Sequence, residues 1–528
     1  MSARSKNQKR GRVFLVGAGP GAPDLITMRG ADVLGRADVV IYDHLVSPEL
    51  IRLAPPKARL IYAGKSGGAG KKRIEQSELN AMLIEQARKG RVVIRLKGGD
   101  PFIFGRGGEE AEALARADVR FEVIPGVTSA IAAPAFAGVP LTHREHGSFV
   151  AFVTGHEDES KVSGSTVPWD ELVAAARGGR GTIVILMATA RMGATLERIR
   201  AAGLAGETPA AAVQWATTAA QKTVSATLAT LAEASARAGI GAPAVIVVGQ
   251  CAGLREHLKW AERMPLFGRT VVVTRSRETA SEFAASLRRL GAEVVEFPTI
   301  ETVAPRSYAA LDRAIARLRA PAGKSFDWII FTSATGVESF VERLKSRGRD
   351  IRELGRASIA AIGPATAARL ADYGLHAAAV PDEYRAEQII PAIGIKRVAG
   401  KRFLIPRAEV AREALPEILR DKGAKEVEVV PAYRTVKPKG APIERMSELI
   451  AAGSIDLVTF TSSSTVTNFC ELVGAPASLL KAAAIGPITA ATAEDHGFEV
   501  VVTPAKYTIA ALTEAIREYF APANGEIT

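Results

Sequence analysis

One glycine-rich stretch constrains this chain more than any other part of its sequence. It runs Arg95-Leu-Lys-Gly-Gly-Asp-Pro-Phe-Ile-Phe-Gly-Arg-Gly-Gly-Glu-Glu110 and follows the apolar run Val92 to Ile94. A strand that ends in two glycines, a carboxylate and a proline leaves bare backbone free to approach a ligand. We therefore predict a strand, then a binding loop, then a helix.

Two further strand ends are expected at the same crevice. The turn Val16-Gly-Ala-Gly-Pro-Gly21 follows the run Val13 to Val16, and Asp43 follows the run Val39 to Tyr42. The carboxyl ends of parallel strands share one edge of a sheet, and ligands of α/β proteins bind along that edge. A nucleotide-like ligand could fill the crevice between these three ends.

The same turn allows a rival interpretation. Gly17-x-Gly19-x-x-Ala22, with Asp43 further along, satisfies the loose fingerprint of a dinucleotide-binding dehydrogenase. Pro20 argues against it, because proline removes a backbone N–H from the turn that should face the pyrophosphate.

Length and composition indicate several ordinary α/β domains. A chain of 528 residues is too long to fold around one core. Its composition, 47% hydrophobic and 23% charged residues, is that of an ordinary globular protein. Strand-like and helical runs alternate almost from end to end, a rhythm that predicts parallel sheets flanked by helices. No apolar run approaches the roughly 20 residues of a membrane span. The basic start, Met1 to Arg12, has no apolar core of a secretory signal, so we expect a cytoplasmic protein.

The net charge of +12 is compatible with nucleic acid or with a polyanionic small substrate. The basic residues are spread along the chain without aromatic interleaving or a nucleic-acid motif, so we expect no nucleic-acid partner. Cys251 and Cys470 have no metal-ligand spacing, and His143 and His146 have no matching third ligand. We therefore predict no metal.

The second half of the chain contains an internal repeat. Phe326-Asp-Trp-Ile-Ile-Phe-Thr-Ser333 recurs as Ile455-Asp-Leu-Val-Thr-Phe-Thr-Ser462, and Ala361-Ile-Gly-Pro-Ala-Thr366 recurs as Ala484-Ile-Gly-Pro-Ile-Thr489. Each copy predicts a buried strand that ends in hydroxyl residues at a helix start, where free N–H groups suit an anion. Two similar lobes would hold one ligand between them.

The first half resembles a known family over about residues 12–258. Besides the block from Arg95 to Glu110, the motifs are Val16-Gly-Ala-Gly-Pro-Gly21, Tyr42-Asp-His-Leu-Val-Ser47, Gly64-Lys65, Pro125-Gly-Val-Thr-Ser129, Gly138-Val-Pro-Leu-Thr-His-Arg144 and Val153-Thr-Gly-His156. They resemble uroporphyrinogen-III C-methyltransferase. The resemblance implies a two-lobed tetrapyrrole methyltransferase fold, a homodimer formed through this half, and two methyl transfers from S-adenosylmethionine to uroporphyrinogen III, giving precorrin-2.

This resemblance also implies roles for individual residues. Cofactor-binding positions fall on Pro20, Gly98, Gly99, Asp100, Ile103, Thr128, Ser129, Met187 and Ala216, the last standing where the family has glycine. Asp43 is implied as a proton acceptor and Lys65 as a proton donor or substrate contact. Asp43 could instead cap a helix, Lys65 could be solvated, and Arg106 could bind either a substrate carboxylate or its neighbours Glu109 and Glu110.

The second half resembles uroporphyrinogen-III synthase through the doubled motifs and Pro431-Ala-Tyr-Arg-Thr-Val436. The resemblance implies a bilobal α/β fold that cyclises hydroxymethylbilane with inversion of ring D and needs no cofactor. Tyr433 is implied to assist loss of the hydroxyl, unless it is only a hinge residue packed between lobes. Candidate substrate-binding residues are Thr332, Ser333, Thr366, Ser462 and Thr489, the first three of which could equally be helix caps. A non-catalytic, ligand-sensing module is the alternative for this half.

These resemblances define the expected domains. We expect a disordered basic arm over 1–11, a methyltransferase domain over 12–258 with lobes of about 12–142 and 143–258, and a linker over 259–267. A synthase domain is expected over 268–525, with one lobe of about 268–303 plus 436–525 and the other of about 304–435.

Overall fold

The computed structural model describes residues 11–64, 74–155, 167–275, 277–321, 323–381, 388–410, 414–438, 442–474 and 480–521. The described residues form two compact units, one made mostly of residues up to Thr270, together with Ser286–Glu293, and one made mostly of Val271 to Tyr519. Each unit contains two five-stranded sheets with helices between the strands. Within the described residues, no helix has the length and apolar character that crossing a membrane requires.

The first sheet of the N-terminal unit is parallel. Its strands are β1 Arg12–Gly17, β2 Val39–Tyr42, β3 Arg59–Tyr62, β4 Val92–Lys97 and β5 Phe121–Ile124, in the spatial order β3-β2-β4-β1-β5. The helices of this lobe are α1 Met28–Leu34, α2 Pro48–Ile51, α3 Gln76–Arg88, α4 Gly107–Arg116 and α5 Ser129–Phe136. Because β4 lies between β1 and β2 and pairs with both in parallel, the three predicted strand ends are adjacent.

Both faces of this sheet are buried. Val13 and Leu15 of β1 pack in a core with Leu83 of α3, whereas Phe14 and Val16 pack in a second core on the other face. Successive side chains of a strand point to opposite faces, so a sheet covered on both sides needs a continuous apolar run. This is why β1 reads Val-Phe-Leu-Val without polar alternation.

The second sheet of this unit is mixed. Its strands are β6 Phe149–Thr154, β7 Gly181–Leu186, β8 Pro209–Gln214, β9 Lys222–Thr227 and β10 Ala244–Val248, in the order β6-β7-β10-β8-β9, with helices α6 Trp169–Ala176, α7 Met192–Ala201, α8 Leu231–Arg237 and α9 Arg255–Leu258. β6 and β7 are parallel, but β10 runs antiparallel to β7 and β8, and β8 antiparallel to β9. The expectation of wholly parallel sheets is therefore wrong here. A short loop joins β8 to β9, and such a connection produces antiparallel neighbours.

The C-terminal unit contains two sheets of related design. Its strands are β11 Thr270–Val273, β12 Glu293–Glu296, β13 Glu301–Val303, β14 Trp328–Phe331, β15 Ser358–Ala361, β16 Arg402–Ala408, β17 Glu426–Val436, β18 Leu457–Phe460, β19 Lys481–Ala484 and β20 Glu499–Val502. Its helices are α10 Arg277–Arg289, α11 Ala309–Arg317, α12 Ala334–Ser346, α13 Pro364–Asp372, α14 Ile389–Ile393, α15 Ala414–Asp421, α16 Ile443–Ala451, α17 Ser463–Val473, α18 Pro487–Asp495 and α19 Ile509–Phe520.

The chain passes between these two sheets twice. One sheet has the order β12-β11-β18-β19-β20 and the other β13-β17-β16-β14-β15. The first crossing falls between β12 and β13, slightly before the expected boundary near 303, because β13 pairs with β17. The second crossing follows β17. We name the sheet containing β11 the split lobe and the sheet containing β14 the continuous lobe.

The internal repeat extends into the cores of both lobes. In the continuous lobe the rings of Phe331 and Phe340 meet edge to face, with centroids 5.5 Å apart. Phe460 and Phe469 form the same contact in the split lobe, at 5.8 Å. Edge-to-face contacts add to the burial of aromatic rings, so the repeated residues fix the same strand-to-helix packing in each lobe.

Candidate active sites

The glycine turn after β1 and the loop after β4 are bonded backbone to backbone. The N–H of Gly99 donates to the carbonyl of Gly19 at 2.7 Å, and the N–H of Gly19 donates to the carbonyl of Gly99 at 3.2 Å. A methyl group on Gly17 would lie 2.5 Å from Cα of Gly126, a distance that no side chain tolerates. Glycine is required here because three strand ends approach one another through bare backbone.

Asp100 holds this cradle together. Its Oδ1 accepts the N–H of Phe102 at 2.8 Å, and its Oδ2 accepts the N–H of Gly126 at 3.0 Å. The carboxylate thus ties the loop after β4 to the turn after β5. Each carboxylate oxygen retains lone-pair capacity for a ligand donor.

The start of α5 bounds one side of the cradle. Thr128 caps the helix by accepting the N–H of Ala130, and the N–H of Ser129 has no acceptor among the described residues. A methyl group on Gly99 would lie 3.8 Å from that nitrogen. A donor at a helix start therefore faces the glycine loop, which suits a polar or anionic ligand group.

The second lobe contributes a turn that touches the glycine loop. The hydroxyl of Thr217 accepts the N–H of Ala22 at 3.0 Å, and Ala216 beside it is 8% exposed. Thr217 has a φ of 70° and Trp215 a φ of 47°. Both values lie in the left-handed region, which β-branched and bulky residues rarely adopt. Sequence reasoning missed Thr217, since nothing in a Trp-Ala-Thr-Thr run signals a left-handed backbone.

The remaining predicted cofactor residues lie on these loops. Pro20 and Gly98 are partly buried next to the backbone pair described above, and Ile103 is exposed on the loop that leads to α4. Met187 follows β7 in the second lobe, with a φ of 59° and 49% of its surface exposed. An exposed thioether held in a strained backbone conformation is a candidate apolar wall for a ligand.

Asp43 is held by a buried network of charges. Its Oδ1 accepts from Nη2 of Arg95 at 2.6 Å, and Nε of Arg95 donates to Oε1 of Glu110 at 3.0 Å. Lys97 Nζ donates to the same Glu110 oxygen at 2.9 Å. The idea that Asp43 caps a helix is wrong, because α2 begins at Pro48 and its cap is Ser47.

The network is nearly dry and not fully satisfied. Glu110 is 0% exposed, and the side chains of Arg95 and Lys97 are each 4% exposed. Burial lowers the pKa of Lys97, as does the nearby Arg95 charge, while Glu110 and Asp43 act in the opposite direction. Among the described residues, Glu110 Oε2 has no hydrogen-bond partner. Sequence reasoning missed Lys97 and Glu110, although two cations two positions apart in an apolar strand were a usable signal.

Three other predicted features have simpler outcomes. Lys65 lies outside the described residues. Arg106 makes a bidentate ion pair with Glu109, with both contacts at 2.8 Å. Of the two predicted alternatives, the structure thus shows the pairing with a neighbour on the helix, and this bond raises the pKa of Arg106.

Glu145 joins His143 and His146 as a third possible metal ligand, with ligand atoms within 4.8 Å. His143 Nδ1, however, already accepts the N–H of Glu145, and we assign no metal there.

In the continuous lobe, Ser333 and Tyr433 come together. Their hydroxyl oxygens lie 3.1 Å apart, and Ser333 Oγ also accepts the N–H of Gly336 at 3.0 Å. Ser333 is therefore a helix cap as well as a partner of Tyr433. The ring of Tyr433 packs against the core of its own lobe.

The other hydroxyl candidates differ between the lobes. Thr366 and Thr489 are 5% and 6% exposed inside α13 and α18, and Thr332 precedes the cap of α12, so neither Thr366 nor Thr332 is a helix cap. Ser462 stands at the cap position of α17 but makes no capping bond with its side chain. Its hydroxyl instead lies 3.0 Å from that of Ser464.

Together these features define a class of protein: a two-lobed α/β enzyme with a glycine-lined ligand cradle, joined to a bilobal α/β module whose lobes carry hydroxyl groups at repeated strand ends. Residues 12–232 match the family model of tetrapyrrole (corrin/porphyrin) methylases, and residues 281–514 match that of uroporphyrinogen-III synthase HemD.

Known proteins match the chain over its halves and over its whole length. The porphyrin biosynthesis protein HemD of Ruminiclostridium josui is 37% identical over 513 residues, which is 97% of this chain and 98% of that protein. The S-adenosyl-L-methionine-dependent uroporphyrinogen III methyltransferase of Methanosarcina barkeri is 44% identical over 47% of this chain and 94% of its own length. A crystal structure of uroporphyrin-III C-methyl transferase from Thermus thermophilus, complexed with S-adenyl homocysteine, is 36% identical and covers 46% of this chain and 100% of that chain, with a TM-score of 0.38.

The chain belongs to the family of fused proteins in which a tetrapyrrole methylase precedes a uroporphyrinogen-III synthase. Both resemblances predicted from the sequence are thereby confirmed, and so is the α/β fold class with its two bilobal halves. The dehydrogenase alternative is wrong, because the glycine turn belongs to a half that matches methylases.

Proposed function

We propose that this chain performs two steps of tetrapyrrole biosynthesis. Its C-terminal half cyclises hydroxymethylbilane to uroporphyrinogen III with inversion of ring D. Its N-terminal half methylates uroporphyrinogen III twice with S-adenosylmethionine, giving precorrin-2. The full-length match to a fused relative supports the pairing, and the chemistry supports it too, since the product of one half is the substrate of the other.

The cradle in the N-terminal half fits S-adenosylmethionine. The space between Gly99 and the start of α5 is bounded by bare backbone, by the free N–H of Ser129 and by the carboxylate of Asp100. These groups would hold the polar ends of the ligand, and Met187 and Ile103 would cover its apolar parts. When bound, this cofactor supplies the methyl groups that are transferred to pyrrole carbons.

We assign the proton-accepting role to Asp43. This half of the proposal rests on how the two carboxylate oxygens of Asp43 are bonded. Arg95 holds its Oδ1, and among the described residues no donor reaches Oδ2. One oxygen is thus fixed in place while the other can accept a proton from the methylated ring carbon. Lys65 remains our candidate for a cation next to the macrocycle, and Arg106 could exchange its exposed partner Glu109 for a substrate carboxylate.

In the synthase half, we assign the departure of the hydroxyl to Tyr433. Ser333 Oγ already accepts the N–H of Gly336, so its own proton can be donated to Tyr433 Oη. Tyr433 is then free to donate its proton to the leaving hydroxyl. The reactive azafulvene forms readily, so the protein mainly has to hold the chain ends in position for ring closure. Thr332, Thr366, Ser462 and Thr489 are the hydroxyl groups we expect along the substrate.

We further propose a cytoplasmic homodimer that forms through the methyltransferase half, as the family resemblance implies. The domain boundaries we propose are those expected from the sequence, 12–258 and 268–525, with a linker between them. The two units found in the fold are consistent with a division in this region.

A coupled assay tests both activities at once. Purified protein is given hydroxymethylbilane and S-adenosylmethionine with a labelled methyl group, and the products are read by mass. We expect a dimethylated type III product. Formation of only type I isomer, which arises from uncatalysed closure, would contradict the synthase assignment, and an unmethylated type III product would contradict the methyltransferase assignment.

Asp43→Asn separates the two halves. We expect it to reduce methyl transfer by about a hundredfold or more, because it removes the proton acceptor while preserving shape, and to leave cyclisation unchanged. Asp32→Asn is the matched control, since Asp32 lies half-exposed on α1 and pairs with Arg36. Methyl transfer at near-normal rate in Asp43→Asn would rule out the assigned role.

A further inference from the structure

The repeat in the synthase half extends to a third segment that carries an arginine. Gly268-Arg-Thr-Val-Val-Val-Thr-Arg275 contains β11, and Gly400-Lys-Arg-Phe-Leu-Ile-Pro-Arg407 contains all of β16 except its last residue, Ala408. Both segments begin with a glycine in the left-handed region, with φ values of 75° and 70°. The two segments therefore enter their strands in the same way and have arginine at the same distance from that entry.

Strand register confirms that these positions are equivalent. Val272 of β11 pairs with Val458 of β18, and Leu404 of β16 pairs with Ile329 of β14. Val458 and Ile329 occupy the same place in the repeat found by sequence. The arginines at the ends of these segments are therefore counterparts in the two lobes.

Each arginine stands at the switch point of its sheet. From β11 the chain continues to β12 on one side, whereas β18, β19 and β20 extend on the other side. In the continuous lobe, β17 lies on one side of β16 and β14 with β15 on the other. Ligands of open α/β sheets bind beyond the carboxyl ends of the strands at this reversal. Arg275 and Ser462 flank it in one lobe, and Arg407 and Ser333 flank it in the other.

The two counterparts differ in what surrounds them. Arg407 is 7% exposed and has a partner within the protein. Arg275 is only partly buried, and no described residue makes a hydrogen bond or ion pair with it. Burial lowers the pKa of Arg275, and the charge of Glu282 acts in the opposite direction. A partly desolvated guanidinium without a bonded partner is unfavourable until an anion meets it.

The neighbouring serines show the same difference. The hydroxyl of Ser333 accepts the N–H of Gly336 and bonds to the hydroxyl of Tyr433. The hydroxyl of Ser462, by contrast, accepts no N–H group from the first turn of α17. The hydroxyl of Ser462 bonds to that of Ser464 instead, so the split lobe has a helix start that its serine does not cap and an arginine without a bonded partner among the described residues. A planar guanidinium presents two parallel N–H donors, and this geometry matches the two oxygens of a carboxylate.

We propose that Arg275 binds a carboxylate of the acidic linear tetrapyrrole in the synthase half, and that Arg407 is its structural counterpart and does not contact substrate. This inference rests on the proposed synthase activity. It makes the two lobes unequal: the continuous lobe contributes the Tyr433–Ser333 pair that acts on the leaving hydroxyl, and the split lobe contributes an anchor for one acidic side arm.

Arg275→Gln in the full chain tests the anchor. We expect KM for hydroxymethylbilane to rise about tenfold to a hundredfold with a smaller change in kcat, because a charge-assisted hydrogen bond to bound substrate is lost. Arg275→Lys should recover part of the affinity, since it keeps the charge but not the fork. KM of the wild type should also rise more steeply with salt than KM of Arg275→Gln. A purely structural role would produce neither the rescue nor the altered salt dependence.

Arg517→Gln is the matched control, because Arg517 pairs with Glu514 on the exposed face of α19. Methyl transfer to supplied uroporphyrinogen III reports whether each variant is otherwise intact. If the wild type cyclises hydroxymethylbilane and Arg275→Gln has the same KM and salt dependence as Arg517→Gln, the anchor assignment is overturned while the synthase assignment stands. If the wild type forms no type III isomer, both are overturned.

Discussion

Removing the charge of Glu110 is the sharpest perturbation that the methyltransferase half offers. Its Oε1 accepts from Arg95 and Lys97, and all three side chains are at most 4% exposed. Glu110→Gln keeps the size of the side chain but, among the described residues, leaves Arg95 with Asp43 as its bonded anion and leaves Lys97 with none. Each cation was taken out of water at a cost that the carboxylate offset.

The size of the effect follows from this burial. Removing one partner of a buried ion pair typically destabilises a protein by about 3–5 kcal/mol. The bonds from Arg95 and Lys97 to Oε1 should not be counted separately, because contacts that share an atom are not additive. For a unit of this size about 1 kcal/mol corresponds to 2–4 °C, so we expect the melting temperature to fall by about 6–20 °C.

Calorimetry on the full chain measures this fall. Two units are expected to give more than one transition, and the methyltransferase transition is the one that S-adenosylhomocysteine raises. Glu109→Gln is the control on the same helix: Glu109 and Arg106 are both more than half-exposed, and such pairs contribute at most about 1 kcal/mol. Equal shifts in the two variants would refute the idea that the buried network stabilises this lobe.

Three further predictions concern single groups. The pKa of Lys97 in the folded state lies below its ordinary value of 10.5, so the unfolded chain holds more protons between the two values. The free energy of unfolding of the wild type should therefore rise relative to that of Lys97→Met as the pH increases toward 10.5. Tyr433→Phe should lower kcat for cyclisation by up to about a hundredfold while sparing methyl transfer. Thr217→Val should weaken S-adenosylhomocysteine binding about fivefold or more, measured by titration calorimetry, because Ala22 loses its acceptor.

Each of these has an outcome that contradicts it. If the free energies of unfolding of wild type and Lys97→Met change in parallel with pH, the pKa of Lys97 is not lowered in the folded state. An unchanged kcat in Tyr433→Phe would leave the phenol with a packing role only. For Thr217, the control is Thr217→Ser, which keeps the hydroxyl and should bind like the wild type; weak binding by both variants would point to the backbone of the turn instead.

The sequence predicted what depends on local pattern and failed where tertiary pairing decides. Glycines and apolar runs located the strand ends at Gly17, Asp43 and Gly98, and parallel topology then brought them together. The antiparallel β8, β9 and β10 were not predicted, since an apolar run reports burial but not direction. The Glu110 network was also missed. Arg95 and Lys97 lie on β4, but their partner Glu110 lies on α4, and the packing of this helix against the strand cannot be read from local sequence.

The left-handed turn at Thr217 shows a second limit. Threonine disfavours that conformation, so its occurrence reflects packing between the lobes of the N-terminal unit rather than local preference. In the synthase half, the repeat predicted equal lobes, yet Ser333 and Ser462 are bonded differently. Identical motifs can therefore be set in different states by residues such as Tyr433 that only one copy possesses.

The double crossing in the synthase half has a consequence for biogenesis. The continuous lobe is one uninterrupted stretch of chain, so it can fold as soon as it leaves the ribosome. β11, by contrast, is a central strand whose neighbour β18 is made only after that whole lobe. Nascent β11 and β12 must therefore wait with apolar edges unpaired, and translational pausing before β18 would prolong the interval in which this enzyme is most prone to aggregate.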